Sequence, residues 1–130
     1  MRTVLQIDDD ADIRELTAFA FELASGIVLL QAAGGAEGIR RALAEKPDLI
    51  LLDFMMPELS GEDVLKALKK SQETRDIPIV FMSARTTPAD EHHMRSLGAQ
   101  DIIKKPFDPI SLPDRVAQLI TEAQNASEWA

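Results

Sequence analysis

The stretch that decides the fold is Leu49-Ile50-Leu51-Leu52-Asp53-Phe54-Met55-Met56-Pro57. Four consecutive apolar residues are too few for a helix core, and their continuity suits a strand covered on both faces, the usual situation in a parallel sheet. The run ends abruptly in a carboxylate and then a Pro-containing turn. Similar runs occur at Val4-Leu5-Gln6-Ile7, Ile27-Val28-Leu29-Leu30, Ile79-Val80-Phe81-Met82 and Ile102-Ile103.

Amphipathic segments lie between these runs. Ile13, Leu16, Ala20 and Leu23 recur at helical spacing, with Asp10 as N-cap and Gly26 as the stop. Ala36, Ile39 and Leu43 mark a second helix ended by Lys46-Pro47; Val64, Leu65 and Leu68 mark a third, with Glu62 and Lys66 paired along its wet side. A fourth starts near Pro88, carries Met94 and Leu97 and stops at Gly98. Val116, Leu119, Ile120 and Ala123 mark a fifth, where Pro109 and Pro113 compete for the first turn. Strand and helix alternate throughout, which predicts an α/β fold, a doubly wound (βα)5 three-layer sandwich. Residues 1–125 form the expected domain, and 126–130 a frayed tail.

The chain has 130 residues, the size of one domain, and contains no cysteine. Disulfide scaffolds, thiolate metal sites and cysteine nucleophiles are therefore excluded, and a reducing compartment fits. Lys plus Arg number 14 against 22 Asp plus Glu, a net charge of −8, so this chain alone lacks a basic footprint for nucleic acid or anionic lipid. No apolar run approaches a bilayer span, and the expected location is cytoplasmic.

Ligands of open parallel sheets bind beyond the carboxyl ends of the strands. Those positions hold Asp8, Asp9 and Asp10, then Asp53, then Ser83, then Lys104 and Lys105; only the second run, ending in Gln31-Ala32-Ala33, brings nothing comparable. Two carboxylates ~4 Å apart repel by roughly 4 kcal/mol at an effective dielectric near 20, and a divalent cation relieves that repulsion. Oxygen ligands without Cys or a nearby His argue for Mg²⁺ or Ca²⁺ over zinc, and a small cluster with room for water and phosphate oxygens favours Mg²⁺. Lys105 adds a positive charge and Ser83 a hydroxyl, so the implied ligand is a phosphoryl group beside a metal, with an aspartate free to act as nucleophile.

Plainer readings exist for each residue taken alone. Asp8-Asp9-Asp10 would serve as an acidic helix start, Asp53 as a turn former, Ser83 as a cap, and Lys104 and Lys105 as solvated charges. His92 and His93 read as solvated, and Met55 and Met56 as packing or rim side chains. Gly34, Gly35 and Gly38 match neither the dinucleotide fingerprint nor a P-loop.

Taken together, Ile7-Asp8-Asp9-Asp10, Leu52-Asp53-Phe54-Met55-Met56-Pro57 followed by Gly61, Met82-Ser83-Ala84-Arg85 and Lys105-Pro106-Phe107 resemble a response-regulator receiver domain of two-component signalling, of the single-domain, chemotaxis-regulator-like kind. The resemblance covers essentially the whole chain and implies a flavodoxin-like sheet of order 2-1-3-4-5. It also implies that Asp53 accepts a phosphoryl group from a phosphohistidine on a sensor histidine kinase or histidine phosphotransfer protein. Asp9, Asp53 and the Met55 carbonyl would hold Mg²⁺, with Asp8 acting through a bound water. Ser83, the Ala84 N–H and Lys105 would bind phosphoryl oxygens, and the Lys105-Pro106 bond would be cis.

Such a domain is a signalling phosphoacceptor that assists its own phosphotransfer and dephosphorylation, not an enzyme, and acts on a downstream output protein as a monomer or weak dimer. No output domain fits after residue 125, so the chain reads as a stand-alone regulator or shuttle, or a fragment of a longer one. Met55 and Arg85, two residues beyond Asp53 and Ser83, stand where the lifetime of the phosphoryl group would be tuned. Ile102 occupies the position three before Lys105, where receivers commonly carry Tyr or Phe, and it cannot supply an aromatic rotamer change.

Two rivals follow from the same residues. A haloacid-dehalogenase-type phosphatase needs Thr or Val where Asp12 stands. A degenerate receiver, working as a phosphorylation-independent interaction module, usually lacks one of the acidic, acceptor or lysine positions, all of which are filled here.

Overall fold

The computed structural model describes residues 1–24 and 26–129. In chain order it contains β1 (Arg2–Ile7), α1 (Ala11–Glu22), β2 (Ile27–Ala32), α2 (Gly35–Glu45), β3 (Leu49–Asp53), α3 (Gly61–Lys70), β4 (Ile79–Ser83), α4 (Pro88–Ser96), β5 (Asp101–Lys104) and α5 (Leu112–Trp129). The strands form one parallel sheet of order β2-β1-β3-β4-β5, the expected doubly wound sandwich.

Period-two alternation within the strands divides the core into two layers. Leu5, Ile7, Ile50, Leu52, Ile79 and Phe81 face α2, α3 and α4 through Ala42, Val64, Leu65, Leu68 and Met94. Val4, Leu49, Leu51, Val80 and Met82 face α1 and α5 through Phe21, Val116, Leu119 and Ile120. All five residues of β3 and of β4 are buried, which explains why those two runs carry no polar residue until their last position. Gly38 is a packing residue: a Cβ there would press into the Ile7 side chain, so α2 comes down closely on β1.

Helix boundaries follow their caps. The Asp10 carboxylate accepts from the amides of Asp12 and Ile13 and starts α1, while Ser60–Asp63 and Thr87–Asp90 form capping boxes at α3 and α4. Helix α1 closes earlier than expected, at Leu23, whose amide reaches Phe21 O; Gly26, with φ 86°, instead makes the turn into β2. Of the two prolines competing for α5, Pro113 lies in its first turn, and Pro109 belongs to the preceding turn closed by Leu112 N→Asp108 O at 3.2 Å. The backbone of α5 runs through Trp129, and Ala130 lies outside the described residues.

No helix among the described residues is long and apolar enough to cross a membrane.

Candidate functional site

Strand register brings the polar residues to one rim. Ile7 pairs with Leu52, Asp53 with Met82 and Ser83 with Lys104, so Asp8, Asp53, Ser83 and Lys105 leave adjacent strands side by side. Asp8, Asp9 and Asp53 each present a carboxylate oxygen within 4.8 Å of the others; Asp8 and Asp53 are buried and Asp9 is exposed. Lys105 Nζ lies 2.9 Å from Asp8 Oδ2 and 3.3 Å from Asp53 Oδ1. Its charge is therefore docked between the two acids rather than extended into solvent.

The turn after β3 is built tightly around Asp53. Met55 N donates to Asp53 Oδ1 at 3.3 Å, Phe54 N to Met82 O at 3.1 Å, and Gly61 N to Phe54 O at 3.0 Å. A Cβ at Gly61 would collide with the Asp53 carbonyl oxygen and Phe54 Cα, so only glycine lets α3 start this close to the backbone that leaves β3. The Met55 side chain projects outward, 57% exposed, and Met56 packs against the core.

Across the rim, the buried Ser83 hydroxyl donates to Arg85 O at 3.1 Å and accepts from Arg85 N at 3.0 Å, fixing the 84–87 loop. The Arg85 and Ala84 side chains are exposed. Lys105 N donates to Ser83 O at 2.8 Å, and the Lys105-Pro106 peptide bond is cis.

Three carboxylates answered by one ammonium leave the site short of positive charge. Burial, reinforced by the Asp8 carboxylate, pushes Asp53 up to about 7 from its ordinary 3.8, although Lys105 and the Met55 amide pull the other way. Burial alone would lower Lys105, but its hydrogen bond and attraction to Asp8, with Asp53 adding to both, raise it overall. An oxygen-rich pocket whose acids resist joint ionisation fits a small hard cation such as Mg²⁺, and the outward-facing Asp9 leaves it an open side.

Some contacts were not legible in the sequence. His93 is exposed, as expected, yet it places Nε2 2.7 Å from Glu62 Oε1 across the α3–α4 gap and its ring edge-on to Phe54, at 6.3 Å between centroids. Lys66, at 2.8 Å, together with His93 holds Glu62 below the usual carboxylate range. Gln31, on the strand read as contributing nothing, donates to Gln6 and to the Arg14 carbonyl. A buried Gln within an apolar run, such as Gln6, was the available signal for such a network.

A family model for the response regulator receiver domain matches residues 4–117. The chain belongs to that family. It is 38% identical over 119 residues to the phosphate regulon transcriptional regulatory protein PhoB of Pseudomonas aeruginosa, covering 92% of this chain and 52% of that protein. It is 36% identical over 121 residues to the response regulator SaeR of Staphylococcus aureus, covering 93% and 51%. The receiver thus spans about half the length of these curated relatives. Among solved structures, the chemotaxis response regulator CheY4 of Vibrio cholerae superposes with a TM-score of 0.84 at 28% identity, covering 92% of this chain and 98% of that one. The receiver fold and its place in two-component signalling are accordingly established, and receiver domains as a family work with histidine kinases or phosphotransfer proteins and with output domains.

Proposed function

We propose that this receiver takes a phosphoryl group onto Asp53 from a phosphohistidine of a sensor kinase or phosphotransfer protein, and that the modified surface regulates an output protein. One observation carries the reading: a buried carboxylate at the end of the central strand, flanked by two further acids and a single lysine.

An Asp53 oxygen forms the new O–P bond as the P–N bond to the donor imidazole breaks; the imidazole leaves with its electron pair and takes a proton from solvent. Negative charge spreading over the transferring oxygens needs positive partners close by. Lys105 is already within 3.3 Å of Asp53 and would turn from the carboxylate pair to a phosphoryl oxygen. The Ser83 hydroxyl would exchange its bond to Arg85 O for a second oxygen, drawing the 84–87 loop inward, and the Ala84 N–H would meet a third. Asp9, Asp53 and the Met55 carbonyl would hold Mg²⁺, with Asp8, whose carboxylate already serves Lys105 and the Asp10 amide, acting through water. Bound there, the cation supplies charge neutralisation at the phosphoryl oxygens.

Exposed Met55 offers no hydrogen bond to a hydrolytic water, and Arg85 would shield the phosphoryl face, so the phosphoaspartate should be long-lived. The chain acts as a signalling phosphoacceptor in the cytoplasm, without nucleic acid or membrane contacts of its own. The test is incubation with a small phosphodonor: intact mass should rise by one phosphoryl group with Mg²⁺ and remain unchanged with chelator. Absence of labelling under both conditions would leave a phosphorylation-independent module.

A further inference from the structure

The acidic loop between β1 and α1 is held from behind by residues that the phosphoryl chemistry does not use. Arg14 Nη1 donates to the backbone carbonyl of Asp8 at 2.8 Å. Arg14 lies half-buried in the first turns of α1, and among the described residues it forms no ion pair, although Asp8, Asp9, Asp10 and Asp12 are all within six positions of it. Its guanidinium is placed on the Asp8 carbonyl and not on a carboxylate.

A buried neutral relay fixes Arg14 in turn. The Arg14 carbonyl accepts from Gln31 Nε2 at 2.7 Å, and the same amide donates to Gln6 Oε1 at 2.8 Å. Gln6 Nε2 donates to Thr17 Oγ1 at 2.9 Å, and Thr17 donates to Ile13 O at 2.8 Å. Gln6 and Thr17 are fully buried. An amide in the middle of an apolar strand is costly unless both its ends are bonded, and here both are. The relay ties the β2 edge, β1 and one face of α1 into a single rigid unit. Asp8 is consequently gripped at both ends: its carbonyl by Arg14, its carboxylate by the Asp10 amide at 2.9 Å and Lys105 at 2.9 Å.

We propose that Arg14 is a positioning residue of the acidic site: backed by Gln31, Gln6 and Thr17, it fixes the Asp8 backbone and thereby presents the Asp8 and Asp9 carboxylates to the divalent cation. The inference rests on the metal-assisted reading above and names the groups that preorganise that site. Groups that hold a metal's ligands in place are typically worth 10- to 100-fold in affinity. Charge and position oppose each other at Arg14. Removing a cation near a divalent site strengthens metal binding by Coulomb's law, whereas losing the grip on Asp8 weakens it.

The sign of the effect therefore tests the proposal. Mg²⁺ is titrated into the full chain by calorimetry and by amide NMR at Asp9 and Asp10, for the wild type, Arg14→Met, Arg14→Lys and Gln31→Leu. Arg14→Met should bind Mg²⁺ about tenfold more weakly, with the Asp9 and Asp10 amides exchanging faster, and Arg14→Lys should recover part of the loss. Gln31→Leu removes no charge and should still weaken binding several-fold. A folded Arg14→Met that binds Mg²⁺ as tightly as the wild type, or more tightly, overturns the proposal. If Arg14→Met does not fold, unchanged affinity in Gln31→Leu does so instead. A wild-type chain that neither binds Mg²⁺ nor takes a phosphoryl group defeats the metal-assisted reading itself, and this inference with it.

Discussion

Replacing Asp53 by Asn should make the metal-free protein more stable, by an amount that depends on pH. The shift of Asp53 from 3.8 to about 7 means that its ionised form is penalised in the fold relative to the unfolded chain. At about 1.4 kcal/mol per tenfold change, the penalty reaches about 4 kcal/mol above neutral pH, and relaxation of the site trims it to about 2–4 kcal/mol. Between about pH 4 and pH 7 the folded protein holds a proton that the unfolded chain has lost, so wild-type stability is fullest at the acid end and falls as pH rises. Asn is nearly isosteric and cannot ionise.

The variant should therefore gain about 2–4 kcal/mol at pH 8 and less than about 2 kcal/mol at pH 5, corresponding to a melting temperature higher by on the order of 10 °C at the alkaline end. Urea unfolding of both proteins in chelator across this range is the assay. With Mg²⁺ the gap should narrow, because a bound cation stabilises only the protein that retains its acids. An Asn variant that is no more stable than the wild type at pH 8, or a gap independent of pH, would refute the account of Asp53 as an under-neutralised acid.

Other consequences follow from single residues. Lys46 closes α2 in the left-handed region at φ 45°, so Lys46→Gly should add about 0.5–1 kcal/mol in denaturant unfolding without altering phosphotransfer. On the proposal that Met55 and Arg85 set the lifetime, Met55→Asn combined with Arg85→Ala should shorten the phosphoaspartate half-life; an unchanged half-life would remove water placement at these positions as the control. With Ile102 largely buried in place of an aromatic switch, amide exchange in the presence of beryllofluoride and Mg²⁺ should change most in residues 84–92, and a response confined to residues 33–46 would contradict this.

Features governed by local pattern were legible before any coordinates. Leu49–Leu52 and Ile79–Met82 announced central strands because burial on both faces demands uninterrupted apolar residues, and their terminal Asp53 and Ser83 stood out for the same reason. Polar contacts between distant segments were not legible. Gln6 with Gln31, or Glu62 with His93, lie 25 and 31 residues apart, and neither residue of a pair signals the other. Helix ends are the least legible: Gly26 reads as the stop of α1, but the chain leaves the helix earlier and uses Gly26, at φ 86°, for the entry to β2.

The central claim concerns one carboxylate, and mapping the modification tests it most directly. The protein is phosphorylated by a small donor with Mg²⁺, trapped by borohydride reduction of the acyl phosphate, and digested. The account predicts conversion at Asp53 alone, acid-stable and alkali-labile before trapping and lost in Asp53→Asn; conversion at another residue, or undiminished labelling of that variant, would contradict it.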